Sequence, residues 1–380
     1  MNKPPHKYDQ RRHGRRQMLM MTPALLWPAW VRSAPATARV ESPVIRPTDV
    51  LRFPQDFGAH PAFRTEWWYI TGTLQALSDP ARSYGFQITF FRSRVDANAA
   101  SQSRFAARQL VFAHTALSDI GQGRLLHDQR IAREGFGLVE AAQDDTRITL
   151  RDWTLQRQGP VTQSLYSSHI AARDFSLDLR FAQTQPVLLQ GEAGYSRKGP
   201  HPEQASHYYS QPQLAVQGQI QLQQSPLQVK GKAWLDHEWS ESLLDKEAVG
   251  WDWIGMNLQD GRALTAFRLR RADGSTLWSG GSLRRPGEAA RSLKPEEVRF
   301  TPGKTWVSPA TAAHYPVSWM VDAAGTRYEV RARMDNQELD SRQSTGGVYW
   351  EGLSDLLDAQ GRVVGSGYLE MTGYVSAMSL

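Results

Sequence analysis

Hydrophobic and polar residues alternate along most of the chain from Thr65 onward, in short runs that Gly, Asp, Asn or Pro residues separate. Clear examples are WWYITGTLQAL, YGFQITFFRSR and FSLDLRFAQ. A period of two is typical of half-buried antiparallel strands. The period of a helix is confined to brief stretches such as SDLLDAQG and DPARS. The pattern therefore predicts an all-β fold, with barrels or sandwiches as the closed architectures.

An internal repeat divides this β-structure in two. Residues 67–75 and 251–259, 184 positions apart, are identical at four of nine positions. Each copy begins with clustered aromatic residues, and each is followed by a second strand that ends in Phe-Arg. We therefore expect two antiparallel β-barrel domains, over residues 39–248 and 249–380, with a linking segment near residues 240–249.

The positive charge of the chain is concentrated at its start. The first 38 residues hold seven Lys and Arg residues against one acid, and the remainder holds 37 of each sign, so the net charge of +6 gives no support for nucleic-acid binding. A basic stretch, an apolar run over residues 18–31 and small residues before Arg39 predict an export signal over residues 1–38. Its RRQML segment resembles a twin-arginine signal. We expect a periplasmic or secreted protein with no transmembrane segment in the mature chain; the alternative is a disordered basic tail.

Several kinds of chemistry are excluded by the residues present. The chain has no cysteine, which removes thiol catalysis, disulfides and cysteine-ligated metals. It has no G-x-S-x-G elbow, phosphate loop or dinucleotide motif. HEWSE lacks the second histidine of a zinc motif, so a metal would need His114, His169 or His207 as a distant ligand. We therefore expect a site without a metal or cofactor.

Five motifs, in order along the chain, carry a family resemblance: TEWWYITGTL, FAHTALSD, VKGKAWLDHEWS, GWDWIGMNLQDGRALTAFRLRRADG and GSGYLEMTGY. From about Phe53 to Tyr374 the chain resembles the AttH-like secreted proteins and the CrtC-like hydroxyneurosporene synthases, also called carotenoid 1,2-hydratases. The resemblance implies two tandem lipocalin-like β-barrels. It also implies cofactor-free chemistry on isoprenoids or other large apolar molecules. AttH-like members, the closer branch for an exported chain, are often called secreted hydrolases or linked to ABC transporters.

The first candidate site is Asp236-His237-Glu238-Trp239. In an extended segment, Asp236 and Glu238 share one face, and His237 and Trp239 share the other. The resemblance favours a functional role for the whole motif. The alternative is that Asp236 and His237 close a domain junction through hydrogen bonds.

The second candidate is Trp251-Asp252-Trp253, with Asp252 opposite the two tryptophans. An acid among rings is poorly solvated, which raises its pKa and suits it to donate a proton. We expect Asp252 as the first choice of proton donor and Asp236 as the second, at an apolar pocket in the domain junction. His237 would orient the acid or a water molecule, and the tryptophans of both motifs would line the pocket. A structural Asp that caps a strand is the alternative.

The remaining substrate-binding candidates each have a structural alternative. Trp67 and Tyr69 begin the first domain, where a tryptophan commonly plugs a lipocalin barrel and Glu66 could pair with an arginine. His114 alternates with apolar neighbours, which is equally typical of a core histidine. Tyr208, with Tyr209, is expected on a loop rim, in contact with a ligand or covering the core.

Two functions remain open at this point. In the first, the protein is a cofactor-independent hydro-lyase: a carboxylic acid protonates a double bond, indole faces stabilise the cation and water adds. In the second, it is a carrier that holds a lipophilic molecule for an ABC transporter. Carboxyl groups that reach an apolar cavity favour the enzyme, and a wholly apolar lining favours the carrier.

Overall fold

The structure is a computed structural model that describes residue 40 and residues 42–222, 225–241 and 244–378. The predicted export signal lies outside these residues and stays a prediction. Among the described residues, no helix is both long and apolar enough to cross a membrane. Helical structure in this part of the chain consists of short 3₁₀ turns: Gln55–Phe57, Asp96–Asn98, Val161–Gln163 and Pro295–Glu297.

The first sheet contains thirteen antiparallel strands. They are β1 (Thr65–Ala76), β2 (Ser83–Arg94), β3 (Gln109–Asp119), β4 (Arg124–Arg133), β5 (Val139–Ala141), β6 (Arg147–Leu150), β7 (Trp153–Gln158), β8 (Leu165–Ala171), β9 (Phe175–Ala182), β10 (Leu188–Leu189), β11 (Tyr195–Arg197), β12 (Ala205–Leu222) and β13 (Ser225–Ser240). Their order is β4-β3-β2-β1-β13-β12-β9-β8-β7-β6-β5, with β10 and β11 paired to β12. The sheet curls into a nearly closed barrel.

The second sheet begins after Ser240 and contains ten antiparallel strands. The strands that follow in the chain are β14 (Gly250–Leu258), β15 (Ala263–Arg270), β16 (Thr276–Arg284), β17 (Arg291–Leu293), β18 (Val298–Pro302), β19 (Thr305–Val307), β20 (His314–Pro316), β21 (Ser318–Ala323), β22 (Thr326–Ala332), β23 (Glu338–Asp340), β24 (Val348–Leu357) and β25 (Val363–Met371). The order is β17-β16-β15-β14-β25-β24-β22-β21-β18, with β23 on β24, while β19 and β20 form a separate pair.

Each sheet places its first strand beside its last. In the first sheet β1 lies between β2 and β13, and in the second β14 lies between β15 and β25. The two copies of the sequence repeat therefore begin the two sheets. The predicted fold class, two tandem lipocalin-like antiparallel barrels, is confirmed. The domain bounds at residues 248 and 249 stay a prediction, although the sheets change between Ser240 and Gly250.

Three hydrophobic clusters follow from strand alternation. One fills the first barrel and includes Trp68 and Trp239, and a second fills the inner side of the second sheet and includes Trp319. A third lies between the sheets, which belong to one compact unit over residues 39–380. We call it the junction cluster; its buried members are Tyr69, Leu188, Trp234, Trp253, Ala263, Phe267, Leu353 and Tyr368.

Two local predictions were wrong. Tyr208 and Tyr209 are buried in β12, not on a loop rim, because Pro212 and Gln213 form a bulge within that strand rather than a loop. SDLLDAQG is not helical: its first four residues end β24, and a turn follows. Its apolar residues are too few to distinguish a helix from a buried strand.

Candidate functional site

Strand alternation places the side chains of Asp236-His237-Glu238-Trp239 on two opposite faces of β13. Trp234 belongs to the junction cluster, whereas Leu235 and Trp239 belong to the core of the first barrel. Because neighbouring side chains point to opposite faces, Asp236 and Glu238 face the second sheet, and His237 faces the barrel interior. The sequence predicted correctly that Asp236 and Glu238 share one face of the strand and that His237 lies on the other.

Asp236 is buried at the junction and is hydrogen-bonded by neutral groups. Its Oδ1 accepts a hydrogen bond of 2.7 Å from the indole Nε1 of Trp234, and another from the hydroxyl of Ser210. Only 3% of the residue is exposed. Burial raises the pKa of Asp236 from 3.8 to about 7, despite the two hydrogen bonds, which act in the opposite direction. This carboxyl group can therefore hold a proton near neutral pH.

Glu238, two residues further along β13, has a cationic partner. Its Oε1 lies 3.0 Å from Nζ of Lys198 and accepts a hydrogen bond from Ser206. The ammonium group of Lys198 also lies 4.5 Å from the ring centre of Tyr208 and 4.7 Å from that of Phe267. The ion pair distinguishes Glu238 from Asp236, whose hydrogen-bond donors are neutral.

Two acids that sequence reasoning missed, Glu351 and Glu370, lie opposite each other on β24 and β25. Burial raises the pKa of Glu351 well above its usual range, and the charge of Glu370 adds to this shift. Burial also raises the pKa of Glu370 to about 7, and the charge of Glu238 acts in the same direction. Glu370 is nevertheless partly exposed, so water can reach it. The sequence could have indicated Glu370, because this residue lies in the closing motif GSGYLEMTGY, whereas Glu351 lies in none of the motifs.

Tyr69 connects Asp236 to this acidic pair. It lies opposite Asp236 in the pairing of β1 with β13. Burial, followed by the charges of Glu351 and Glu370, raises the pKa of the Tyr69 phenol. Its hydroxyl and Oε1 of Glu351 are both buried, and the two side chains interact with each other. The junction thus places carboxyl groups with raised pKa values, together with a phenol hydroxyl, among aromatic rings.

A cavity of about 180 Å³ lies against the same junction, between β10–β12 of the first sheet and β15–β17 of the second. Tyr208, Phe267 and Trp278 contribute rings to its wall. Gln190, also in the wall, donates a hydrogen bond of 2.7 Å to Ser210, the residue that donates to Asp236. Asp236 is therefore separated from the cavity by a single layer of side chains.

Asp252 lies on the other side of the second sheet. It is fully buried, and it accepts hydrogen bonds of 2.7 Å from Arg268 Nε, 3.1 Å from Arg270 Nη1 and 2.8 Å from the Tyr374 hydroxyl. Its neighbour Trp253 belongs to the junction cluster, as strand alternation requires. The tryptophans of this motif thus reach the junction, but Asp252 does not.

His237 and Trp239 belong to a separate polar cluster inside the first barrel. The Nε2 atom of His237 lies 2.9 Å from Oε1 of Glu66, and its Nδ1 atom lies 3.0 Å from the Tyr209 hydroxyl. The ring of Trp239 stacks on His60 at 3.8 Å. Burial lowers the pKa of His237 to about 4. Both ring nitrogens of His237 are engaged here, so it does not orient the carboxyl group of Asp236.

Glu66 is the centre of that cluster, and it is paired with an arginine as the sequence predicted. Arg92 Nε lies 2.7 Å from Oε2 of Glu66, and His60 Nδ1 lies 2.7 Å from Oε1. Glu66 with His60 and His237 is the one group of potential metal ligands among the described residues. A cation there would have to share Glu66 with the guanidinium of Arg92, which disfavours metal binding.

The other candidates contribute mainly to the contact between the sheets. His114 is buried, with Nδ1 2.9 Å from the Tyr349 hydroxyl and Nε2 2.8 Å from that of Ser344. Trp67 packs on the junction cluster, and its neighbour Trp68 is the tryptophan inside the barrel. Of the other histidines considered as metal ligands, His169 pairs with Asp178 and His207 with Asp49.

The fold and the site define a class: a tandem of two lipocalin-like barrels with buried carboxyl groups at their junction. The AttH-like family matches residues 44–374, and the chain belongs to this family. No curated protein matches the chain significantly.

Solved structures of the same fold include an AttH protein from Nitrosomonas europaea, 46% identical, which covers 88% of this chain and 99% of its own with a TM-score of 0.81. Kievitone hydratase from Nectria haematococca is 12% identical, covering 88% of this chain and 96% of its own with a TM-score of 0.66. CghA in complex with Sch210972 is also 12% identical, covering 83% and 89% with a TM-score of 0.50.

Proposed function

We propose that this protein is a cofactor-independent hydratase that adds water to a double bond of a lipophilic, isoprenoid-like substrate at the junction of its two sheets. The observation that carries the proposal is the environment of Asp236. Its carboxyl group is buried among rings, has neutral hydrogen-bond donors and has a pKa of about 7. Kievitone hydratase, named for a hydration reaction, shares the fold.

In the proposed reaction Asp236 is the proton donor. The substrate enters from the cavity and displaces the layer of side chains, Gln190 and Ser210, that covers Asp236. The Asp236 O–H bond then breaks as the proton passes to one carbon of the double bond, and positive charge develops on the other carbon. The indole rings of Trp234 and Trp253 lie in the junction cluster, where their faces stabilise a cation. Water then adds to the cation through oxygen and loses a proton to the Asp236 carboxylate. The acid is restored, and the net reaction consumes one alkene and one water.

Asp236 replaces Asp252 as the first choice of proton donor, because the two carboxyl groups have different hydrogen-bond partners. Asp252 is held by two arginines and faces the core of the second sheet, away from the junction. Asp236 faces the junction and is one layer of side chains from the cavity. His237 and Glu238 take supporting roles in this proposal, since one is bound to Glu66 and the other to Lys198.

The size of this cavity suits an enzyme that encloses only the reacting end of its substrate. Pockets that enclose a whole small molecule usually measure about 300–1,000 Å³. At about 180 Å³, this cavity admits one end of an isoprenoid, and its wall includes charged residues. An enzyme needs only the reacting end to be enclosed, whereas a carrier protects the whole ligand.

Export to the periplasm and a role beside an ABC transporter remain predictions from the sequence.

The test measures oxygen incorporation from heavy-oxygen water into isoprenoid alkenes such as citronellol, using mass spectrometry. Asp236→Asn keeps the shape and removes the proton, so turnover should fall by roughly a hundredfold or more. Asp260→Asn, at an exposed aspartate paired with Arg262, is the matched control and should retain activity. If Asp236→Asn kept full turnover, Asp236 would not be the donor. If the protein bound these alkenes without hydrating them, the carrier function would replace the proposal.

A further inference from the structure

Arg197, at the end of β11, is an unusual residue of the cavity wall. Its guanidinium lies 4.4 Å from the ring centre of Trp278, and its Nη2 atom donates to the carbonyl oxygens of Gly199 and Pro200. These contacts fix the group in place. Among the described residues Arg197 forms no salt bridge, although most arginines of the two sheets have a carboxylate partner.

The Nε–H group of Arg197 is a donor for which the part of the chain that the structure describes provides no acceptor. The Nε atom is buried and lacks a hydrogen-bond partner among the described residues. A buried donor left unpaired costs free energy, so a ligand acceptor that reached this group from the cavity would form a favourable hydrogen bond. A charged donor forms a stronger hydrogen bond when the acceptor is an anion.

The net charge of the cavity wall indicates the sign of the charge on the ligand. Its charged residues are Arg197, Lys294 and Glu192, which leaves one positive charge in excess. Lys294 and Glu192 are exposed, whereas the Arg197 group is held against Trp278. Rings and small residues make up most of the remaining wall. One fixed positive charge in an aromatic cavity matches a single carboxylate on an apolar body better than a doubly charged phosphate.

We propose that Arg197 binds a carboxylate of the molecule that enters the cavity, so that the substrate is an apolar acid. The inference rests on the proposed function in one respect: both place the substrate in this cavity. A cavity of roughly 150 Å³ takes a group of benzene size. The reacting end of the substrate, which in this inference also carries the carboxylate, therefore fits inside, with the rings of Tyr208, Phe267 and Trp278 around its apolar part.

The test compares three probes that differ in one group: phenylbutyrate, phenylbutanol and phenylbutylamine. Dissociation constants for the full-length protein are measured by ligand-detected NMR. Phenylbutyrate should bind at least about tenfold more tightly than phenylbutanol, the scale of one charge-assisted hydrogen bond. Phenylbutylamine should bind most weakly, because its charge is repelled by Arg197.

Arg197→Met keeps an unbranched apolar chain on Trp278 and should abolish the preference for phenylbutyrate. Arg197→Lys, which keeps the charge without the Nε–H group, should retain part of it. Arg299→Met, at an exposed arginine of β18 outside the cavity, is the matched control and should bind all probes like the wild type. Unchanged circular dichroism of Arg197→Met would show that the fold is intact.

The inference is overturned if the wild type binds phenylbutyrate and phenylbutanol equally, if it binds none of the probes, or if Arg197→Met keeps the preference. Asp236→Asn separates this inference from the proposed function, because it should leave the preference for phenylbutyrate intact. A preference that depends on Arg197 in a protein whose turnover ignores Asp236 would support the carboxylate site and contradict the hydratase mechanism.

Discussion

At the scale of single residues, the partners of each buried acid decide what it can do. Glu66 and Asp252 are paired with arginines, and the charges compensate each other inside a core. Asp236 accepts hydrogen bonds from an indole and a hydroxyl, which cannot compensate a full negative charge. The first two acids are therefore suited to holding strands together, and the third to holding and releasing a proton.

Glu66→Gln and Asp252→Asn should each destabilise the protein strongly. Each change leaves a buried arginine without its counter-ion, which typically costs about 3–5 kcal/mol of unfolding free energy. Urea denaturation measures this loss. Glu247→Gln, at a largely exposed acid that pairs with Arg271, should change stability by less than about 0.5 kcal/mol. Equal small effects for all three variants would show that the buried pairs are not needed for stability.

The sequence predicted part of this site. The residues DHEW and WDW, and an arginine partner for Glu66, were identified from motifs and spacing. The partners of Asp252 were not, because Arg270 and Tyr374 approach it only in the folded sheet. Glu351 and Arg197 stand in no motif, and their environments, an acid opposite Glu370 and a guanidinium against Trp278, form only in the folded protein.

At the scale of elements, the alternation of β13 and β14 decides which residues can share a site. It predicted correctly that His237 lies opposite Asp236 and that Asp252 lies opposite the tryptophans. It could not predict which face of each strand meets the other sheet, because both faces are buried. In such strands the polar residues no longer mark the side exposed to solvent.

Gly231→Ala tests the contact of β1 with β13. A Cβ atom at Gly231 would overlap the carbonyl oxygen of Thr73 on the neighbouring strand, so the two strands would have to separate. We expect a lower melting temperature and faster amide exchange along β1. Gly121→Ala is the control, since the nearest atom to its new Cβ is Asp119 Oδ1, 3.7 Å away. A Gly231→Ala protein as stable as the control would mean that the strands do not approach this closely.

At the scale of the whole molecule, the two barrels bring buried and partly buried acids together at a common face. Asp236 and Glu238 come from the first sheet, and Glu351 and Glu370 from the second. Lys198 compensates one of these charges. Since several uncompensated charges in an apolar contact are unfavourable, the contact between the sheets depends on protons that the acids retain.

Stability should therefore depend on pH through Asp236. Its pKa is about 7 in the folded protein and 3.8 ordinarily, so the folded state binds the proton more tightly. The contribution of Asp236 to the unfolding free energy is fully present below about pH 4 and is lost as the pH rises through 7. The pKa difference corresponds to about 4 kcal/mol. Relative to Asp236→Asn, the wild type should lose unfolding free energy between pH 4 and 8.

Urea titrations at a series of pH values measure this difference. Asp260→Asn, which removes an exposed aspartate, should follow the wild-type curve closely. Parallel curves for the wild type and Asp236→Asn would show that the pKa of Asp236 is not raised.

The pairing of first and last strands also governs how the chain is made. Glu66 on β1 lies opposite Trp239 on β13, so the contact waits until the intervening residues have been synthesised. At about 5–20 residues per second, this takes roughly 10 to 35 seconds. Throughout that interval one edge of β1, with its aromatic side chains, has no neighbouring strand and can pair with other chains. A nascent chain of this protein is therefore a natural client for chaperones that bind exposed hydrophobic segments on the ribosome.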